Sequence, residues 1–123
     1  MDAVPPRPLK FTRSMRIKQT RDFLRARQEG QRMVTGCLIA NWRRLSADSP
    51  PRLGVVTSRK IGNAVVRSRA RRLLREVFRV HQHDLAQPLD LVLVARPSIS
   101  RKAFSDVEKD FLTTLHKTGL LKK

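Results

Sequence analysis

The sequence predicts a small α/β (α+β) two-layer sandwich with one βαβ unit at its centre. Two short apolar runs, LGVVT at 53–57 and LDLVLVA at 89–95, have the length and composition of buried strands. Between them, residues 64–81 repeat apolar side chains at helical spacing. A second helical pattern follows the last strand, with Val107, Phe111, Leu112 and Leu115 on one face. Strand, helix and strand in that order read as a βαβ unit.

Residues 1–16 carry Pro5, Pro6, Pro8 and scattered basic residues, and read as an extended, mobile basic tail. Thr20 can cap a short first helix, with Asp22 in its first turn and Gly30 past its end. Phe23, Leu24 and Ala26 supply its apolar contacts. Residues 33–45, MVTGCLIANWRRL, alternate partly and read as a strand or hairpin. Ser46 to Pro51 has loop composition, and LGVVT follows. Gly62 breaks that strand, Asn63 is a plausible N-cap, and a helix is expected from about Ala64 to His81. Gln87 and Pro88 turn the chain into LDLVLVA, and Pro97–Ser100 is a loop. Ser105 and Glu108 match a capping box for the last helix. The order is helix, strand, strand, strand, helix, strand, helix. A single domain is expected over 17–118, with a basic tail at 119–123.

Composition narrows the function. The 123 residues suit one domain with one modest core. Lys and Arg number 27 against 10 Asp and Glu, a formal charge of +17. Self-repulsion at that charge opposes folding, and an anionic partner offsets it. Nucleic acid has the required charge density, because phosphates neutralised by Lys and Arg release condensed counterions. An anionic membrane surface would call for a basic amphipathic helix in an otherwise poorly folding chain. The strands and the 40% hydrophobic content favour a folded basic domain instead. No apolar run approaches the roughly 20 residues of a membrane span, and the proline-bearing N-terminus does not resemble a signal peptide. One cysteine, Cys37, excludes an internal disulfide framework and fits a reducing compartment. A cytoplasmic protein is expected.

The central helix concentrates the charge. Six arginines lie within thirteen residues, Arg67, Arg69, Arg71, Arg72, Arg75 and Arg79, and only Glu76 opposes them. At about 100° per residue, Val66, Ala70, Leu73, Leu74, Val77 and Val80 gather in one sector. Arg71, Arg72, Arg75 and Arg79 fall opposite, with Arg67 and Arg69 at the edges. Arg59 and Lys60 precede the helix, where backbone N–H groups also attract anions. A solvated face with nothing bound normally carries acids at i,i+4, since like charges at that spacing are destabilising. Those acids are missing, so the ridge points to nucleic acid, with guanidinium forks suited to phosphate and to exposed bases.

The segment RLGVVTSRKIGNAVVRSRARRLLREVFR, Arg52 to Arg79, resembles the signature of the bacterial ribonuclease P protein family. Arg59, Lys60, Gly62, Ala64, Val65, Arg67, Arg69, Arg72, Leu73, Arg75 and Glu76 match its pattern. Asp22-Phe23 with Gly30, and Ala95-Arg96-Pro97, extend the likeness over most of the chain. Two positions depart from it. Ser68 stands where the family usually has Asn. Arg27 stands one turn after Phe23, where a second aromatic is usual.

The resemblance implies a left-handed βαβ crossover, against the general rule for parallel connections. It implies an accessory subunit of an RNA enzyme that binds the catalytic RNA through the arginine helix. It also implies a cleft, formed by the first helix and the sheet, for the 5′ leader of precursor tRNA. Mg²⁺ is expected to be held mainly by the RNA. The implied RNA-binding set is Arg59, Lys60, Asn63, Arg67, Ser68, Arg69, Arg71, Arg72 and Arg75. The implied leader cleft uses Phe23, Arg27 and Trp42, because the chain has no Tyr for stacking.

No constellation of side chains suggests chemistry by the protein itself. Asp106, Glu108 and Asp110 diverge by about 200° per step on a helix and read as acids favoured by its N-terminal dipole. His81 and His83 lack partners at zinc-ligand spacing and suit a helix C-terminus. Cys37 sits in an apolar strand and reads as core. There is no Walker or GxGxxG sequence. Neither catalytic nor metal-ligating side chains are expected, and neither a membrane nor DNA as partner. Composition and fold class equally permit a structural RNA-binding protein of ribosomal type; only Arg52–Arg79 separates the two. A DNA-binding helix-turn-helix would need a short helix before the arginine helix, where LGVVT stands instead.

Overall fold

The computed structural model describes residues 11–122. Three helices, α1 (Thr20–Gln28), α2 (Ala64–His81) and α3 (Phe104–Thr118), accompany four strands. The strands are β1 (Gln31–Thr35), β2 (Leu38–Arg44), β3 (Arg52–Val56) and β4 (Leu89–Ala95). They form one sheet in the order β1-β2-β4-β3. β3 and β4 are parallel neighbours joined through α2, the expected βαβ unit, and the other pairs are antiparallel.

Side-chain alternation across the pleat sets the two faces. Leu53, Leu89, Leu91, Leu93, Leu38 and Ala40 join Ala70, Leu74, Val77 and Phe78 of α2 and Val107, Phe111 and Leu115 of α3 in the main core. The opposite face carries α1, whose Ala26 is buried with Ile17 and Val92 while Phe23, Val56 and Val94 pack alongside.

The stretch 33–45 proves to be a hairpin. Its turn, Gly36–Cys37, puts Gly36 at φ 53°, and Asp110 of α3 packs against it, accepting from Cys37 N at 3.0 Å. A Cβ on Gly36 would lie 2.2 Å from that carboxylate, so glycine is required on both counts.

α2 has the expected bounds, with Asn63 Oδ1 accepting from Val66 N at 3.0 Å. Its core face is rotated from the predicted sector: Phe78 is fully buried, whereas Val66, Leu73 and Val80 are half-buried. The reason lies at the N-terminus. Residues 1–10 fall outside the described ones, but 11–16, expected as tail, fold onto the body. Phe11 packs edge-on against Phe78, with ring centroids 5.8 Å apart. Arg16 bridges to Leu53, and Ile17 N donates to Leu53 O at 2.9 Å, covering the open β3 edge.

Three smaller expectations are corrected. α1 begins at Thr20 with Gln19 at the cap position, and Leu24 is exposed while Ala26 of the same helix is buried with Ile17. α3 begins at Phe104, so Ser105 lies inside it. Asp106, rather than Glu108, returns to the cap by accepting from Ala103 N at 3.0 Å. At the other end Gly119 (φ 75°) closes the helix, with Leu120 N donating to Leu115 O at 2.9 Å. Leu120 is buried and Leu121 bridges to Leu85, so residues 119–122 complete the body where a tail was expected.

Candidate nucleic-acid interface

The interface is built on α2 and the turn before it. A 3-10 turn, Arg59–Ile61, buries Ile61 and leaves Arg59 and Lys60 exposed. Gly62 follows at φ 149°, where a side chain would be strained. Asn63 then uses its side-chain oxygen as the helix cap.

The arginines are held mostly by neutral acceptors. Arg67 Nη1 donates to Gly62 O at 3.0 Å, and Arg69 Nη2 to Lys102 O at 2.6 Å. Arg71 donates to Thr57 Oγ1 at 2.8 Å and to Ser68 Oγ at 3.1 Å. Such bonds orient a guanidinium without cancelling its charge. Ser68, the departure from the family pattern, thus positions its neighbour. Arg72 is exposed. Arg79 pairs with Glu76, whose carboxylate is held below its ordinary range chiefly by that hydrogen bond. The pKa of Arg75 is lowered by burial and then by the charges of Arg16 and Arg71. Crowding of like charge against a half-buried guanidinium is stabilised by a bound anion. An open groove of ≈ 380 Å³ runs among Phe11, Ser68, Glu76 and the arginines Arg71, Arg72, Arg75 and Arg79. Phe11 and Arg16 were missed in the sequence because they sit in the segment read as a tail.

The other sheet face holds the second candidate region. Phe23 is half-buried, its ring resting on Gly54, where a Cβ would come within 2.4 Å of Cε1. Arg27 is exposed on the same helix. Beside them, Val34, Ile39, Val94 and Val56 pair in register and form one apolar row across all four strands. Val34 is 47% exposed and the other three are half-buried, so α1 leaves this row open. These sheet residues were invisible until the hairpin register was known. Trp42 does not belong with them. It pairs with Leu91 and is 3% exposed in the main core, on the face away from Phe23. A buried indole there cannot stack on a base, so the leader-cleft assignment of Trp42 is corrected.

A network anchors α1 to this face. Asp90, fully buried, accepts from Arg52 Nε and Nη2 at 2.8 Å each and from Arg43 at 3.3 Å. Arg52 also reaches Asp22 of α1 at 3.4 Å. Arg52 is held above its ordinary pKa first by the hydrogen bond to Asp90. Burial, then Asp110, pushes the Cys37 thiol up to about 12, away from the thiolate form that a nucleophile uses. His81 joins two helices, with Nδ1 2.7 Å from Asp84 and Nε2 2.8 Å from Glu108 of α3. Among the described residues no group of three or more His, Cys, Asp or Glu could hold a metal ion. No helix there is long and apolar enough to cross a membrane.

A family model described as Ribonuclease P matches residues 11–119. The ribonuclease P protein component of Syntrophomonas wolfei is 35% identical over 105 residues, covering 85% of this chain and 87% of the relative. That of Dictyoglomus turgidum is 31% identical over 115 residues, covering 92% and 96%. Among solved structures, the RNase P protein of Staphylococcus aureus superposes with a TM-score of 0.78 at 25% identity, covering 88% of this chain and 98% of that one. The RNase P protein of Thermotoga maritima gives 0.73 at 29%, covering 83% and 96%. The alternative of a ribosomal-type structural protein finds no support in these matches. Arginine ridge, sheet order and relatives agree, and the chain belongs to the ribonuclease P protein family.

Proposed function

We propose that the protein is the RNA-binding subunit of ribonuclease P, holding the catalytic RNA on α2 and the 5′ leader of precursor tRNA on the open sheet row beside α1. The observation that carries this reading is the set of α2 guanidiniums oriented by neutral acceptors, with Glu76 alone among them as a counter-charge. Arg67, Arg69, Arg71, Arg72 and Arg75, with Arg59 and Lys60, face RNA phosphates; Asn63 and Ser68 shape the turn and orient Arg71. On the other face, Phe23 and the valine-isoleucine row offer an apolar floor to unpaired bases. Arg27 lends a guanidinium plane where the family usually has a ring. In this reading Mg²⁺ enters with the RNA, and the protein's part is binding and orientation. Precursor tRNA incubated with a bacterial ribonuclease P RNA at low Mg²⁺ should be cleaved faster with the protein than without. Absence of acceleration, or cleavage by the purified protein alone, would overturn the proposal.

A further inference from the structure

A second basic groove lies at the β3 edge, outside both regions described above. It has a volume of ≈ 260 Å³ and is lined by Arg13, Ser14, Arg16, Lys18, Gln19 and Arg52. Among the described residues four cations line it and no carboxylate does, although Arg52 is bound from beneath by Asp90 and Asp22. Arg13, Arg16 and Lys18 are exposed. They are displayed by a short segment that the fold pins at three apolar points. Phe11 sits on Phe78, Met15 packs against the main core, and Ile17 is 5% exposed beneath α1.

Alternation about the Leu53 bridge turns Ile17 to the α1 face and Arg16 to the α2 face. There the Arg16 guanidinium stands 5.2 Å from the centroid of the Phe11 ring, and Phe11 itself lines the α2 groove. The two grooves therefore adjoin across the Arg16–Phe11 pair. Apolar anchors that gather cations without acids leave a repulsion that an anion relieves. Guanidinium forks, an ammonium, a hydroxyl and an amide together match phosphate and sugar oxygens.

We propose that this edge groove is a second phosphodiester-binding site, taking an RNA backbone that continues from the arginine ridge of α2 around the β3 edge. The proposal rests on the reading of α2 as an RNA-binding helix. The backbone belongs either to the catalytic RNA or to precursor tRNA, and the two arms of the test distinguish them. The variant is Arg13→Gln/Lys18→Gln in the full chain, both side chains being exposed and outside the core; Arg16 is spared because it covers Phe11.

Binding is measured across a salt titration, first of the protein to a bacterial ribonuclease P RNA, then of the assembled complex to precursor tRNA with and without its leader. In the arm that uses the groove, the slope of log K against log salt should be shallower by about two, roughly one per lost contact. Arg72→Gln, run alongside, reports on α2. Wild-type affinity and slope for the double variant in both arms, with Arg72→Gln weakened, would overturn the edge groove and leave α2 standing. Weaker binding at an unchanged slope would overturn it equally, since no phosphate contact would have been lost. If Arg72→Gln also binds as wild type, the α2 reading fails and the edge groove falls with it.

Discussion

Phe23 and Trp42 show what one residue can and cannot say about its own role. Both are large aromatics near the sheet, and either could stack on a base. Pleat parity separates them: Trp42 pairs with Leu91 on the core face, while Phe23 lies over Gly54 on the other. Phe23 is half-buried, so it packs and still presents part of its ring. Truncating a buried Phe costs ~3–5 kcal/mol, and a half-exposed ring should cost about half as much. A stacked base is worth roughly 1–3 kcal/mol. Phe23→Ala should therefore lower the melting temperature modestly and abolish most of the preference for precursor tRNA carrying a leader over mature tRNA. Gly54→Ala gives an independent handle, because its Cβ would collide with Cε1 of the ring at 2.4 Å and displace it without deleting it. Both variants should lose leader preference. If each merely melts earlier while the folded fraction still discriminates, Phe23 is a packing residue only.

Between elements, His81 adds a polar link to the apolar joint of α2 with α3. Its ring bridges Asp84 and Glu108 and lies 6.2 Å from the Phe111 ring. Burial is the largest single influence and lowers its pKa, but the hydrogen bonds and charges of the two carboxylates together outweigh it, and the pKa is raised above 6.5. A raised folded pKa adds stability that is full below the unfolded value and disappears as pH rises through the folded one. The melting temperature of wild type relative to His81→Gln should thus be highest below pH 6.5 and shrink on the alkaline side. A difference that stays constant across that range would show that the ring acts by packing alone.

The same elements show how far local pattern reaches. The approximate bounds of α2 were legible because Asn63 caps it and its apolar spacing runs unbroken. Its rotation was not, because Phe11 covers Phe78 from a distant segment whose prolines and charges masked the spacing of Phe11, Met15 and Ile17. The arginine ridge could be read from charge along one helix. The apolar row Val34, Ile39, Val94 and Val56 could not, since it exists only once four strands are in register.

Across the whole molecule, acids and bases divide the work. Ten acidic residues face 27 basic ones. Asp22 and Asp90 tie α1 and the sheet to arginines. Asp84 and Glu108 hold His81, and Glu29 and Glu76 pair with Arg25 and Arg79. Asp106 and Asp110 accept from backbone N–H groups. With these eight acids engaged, Glu76 alone among the α2 residues offsets the arginine ridge, and the remaining repulsion is carried by the native state. A multivalent anion that binds the ridge should then stabilise the fold by mass action, by about 2.7 kcal/mol at a hundredfold excess over Kd. For a chain of this length that is roughly a 10 °C rise in melting temperature. Inorganic tripolyphosphate at sub-millimolar concentration is a suitable probe, because general salting effects are negligible there. The variant Arg71→Gln/Arg72→Gln/Arg75→Gln should melt higher than wild type at low salt and gain less from tripolyphosphate. An equal gain in both proteins would place the anion elsewhere and remove the ridge as the centre of repulsion.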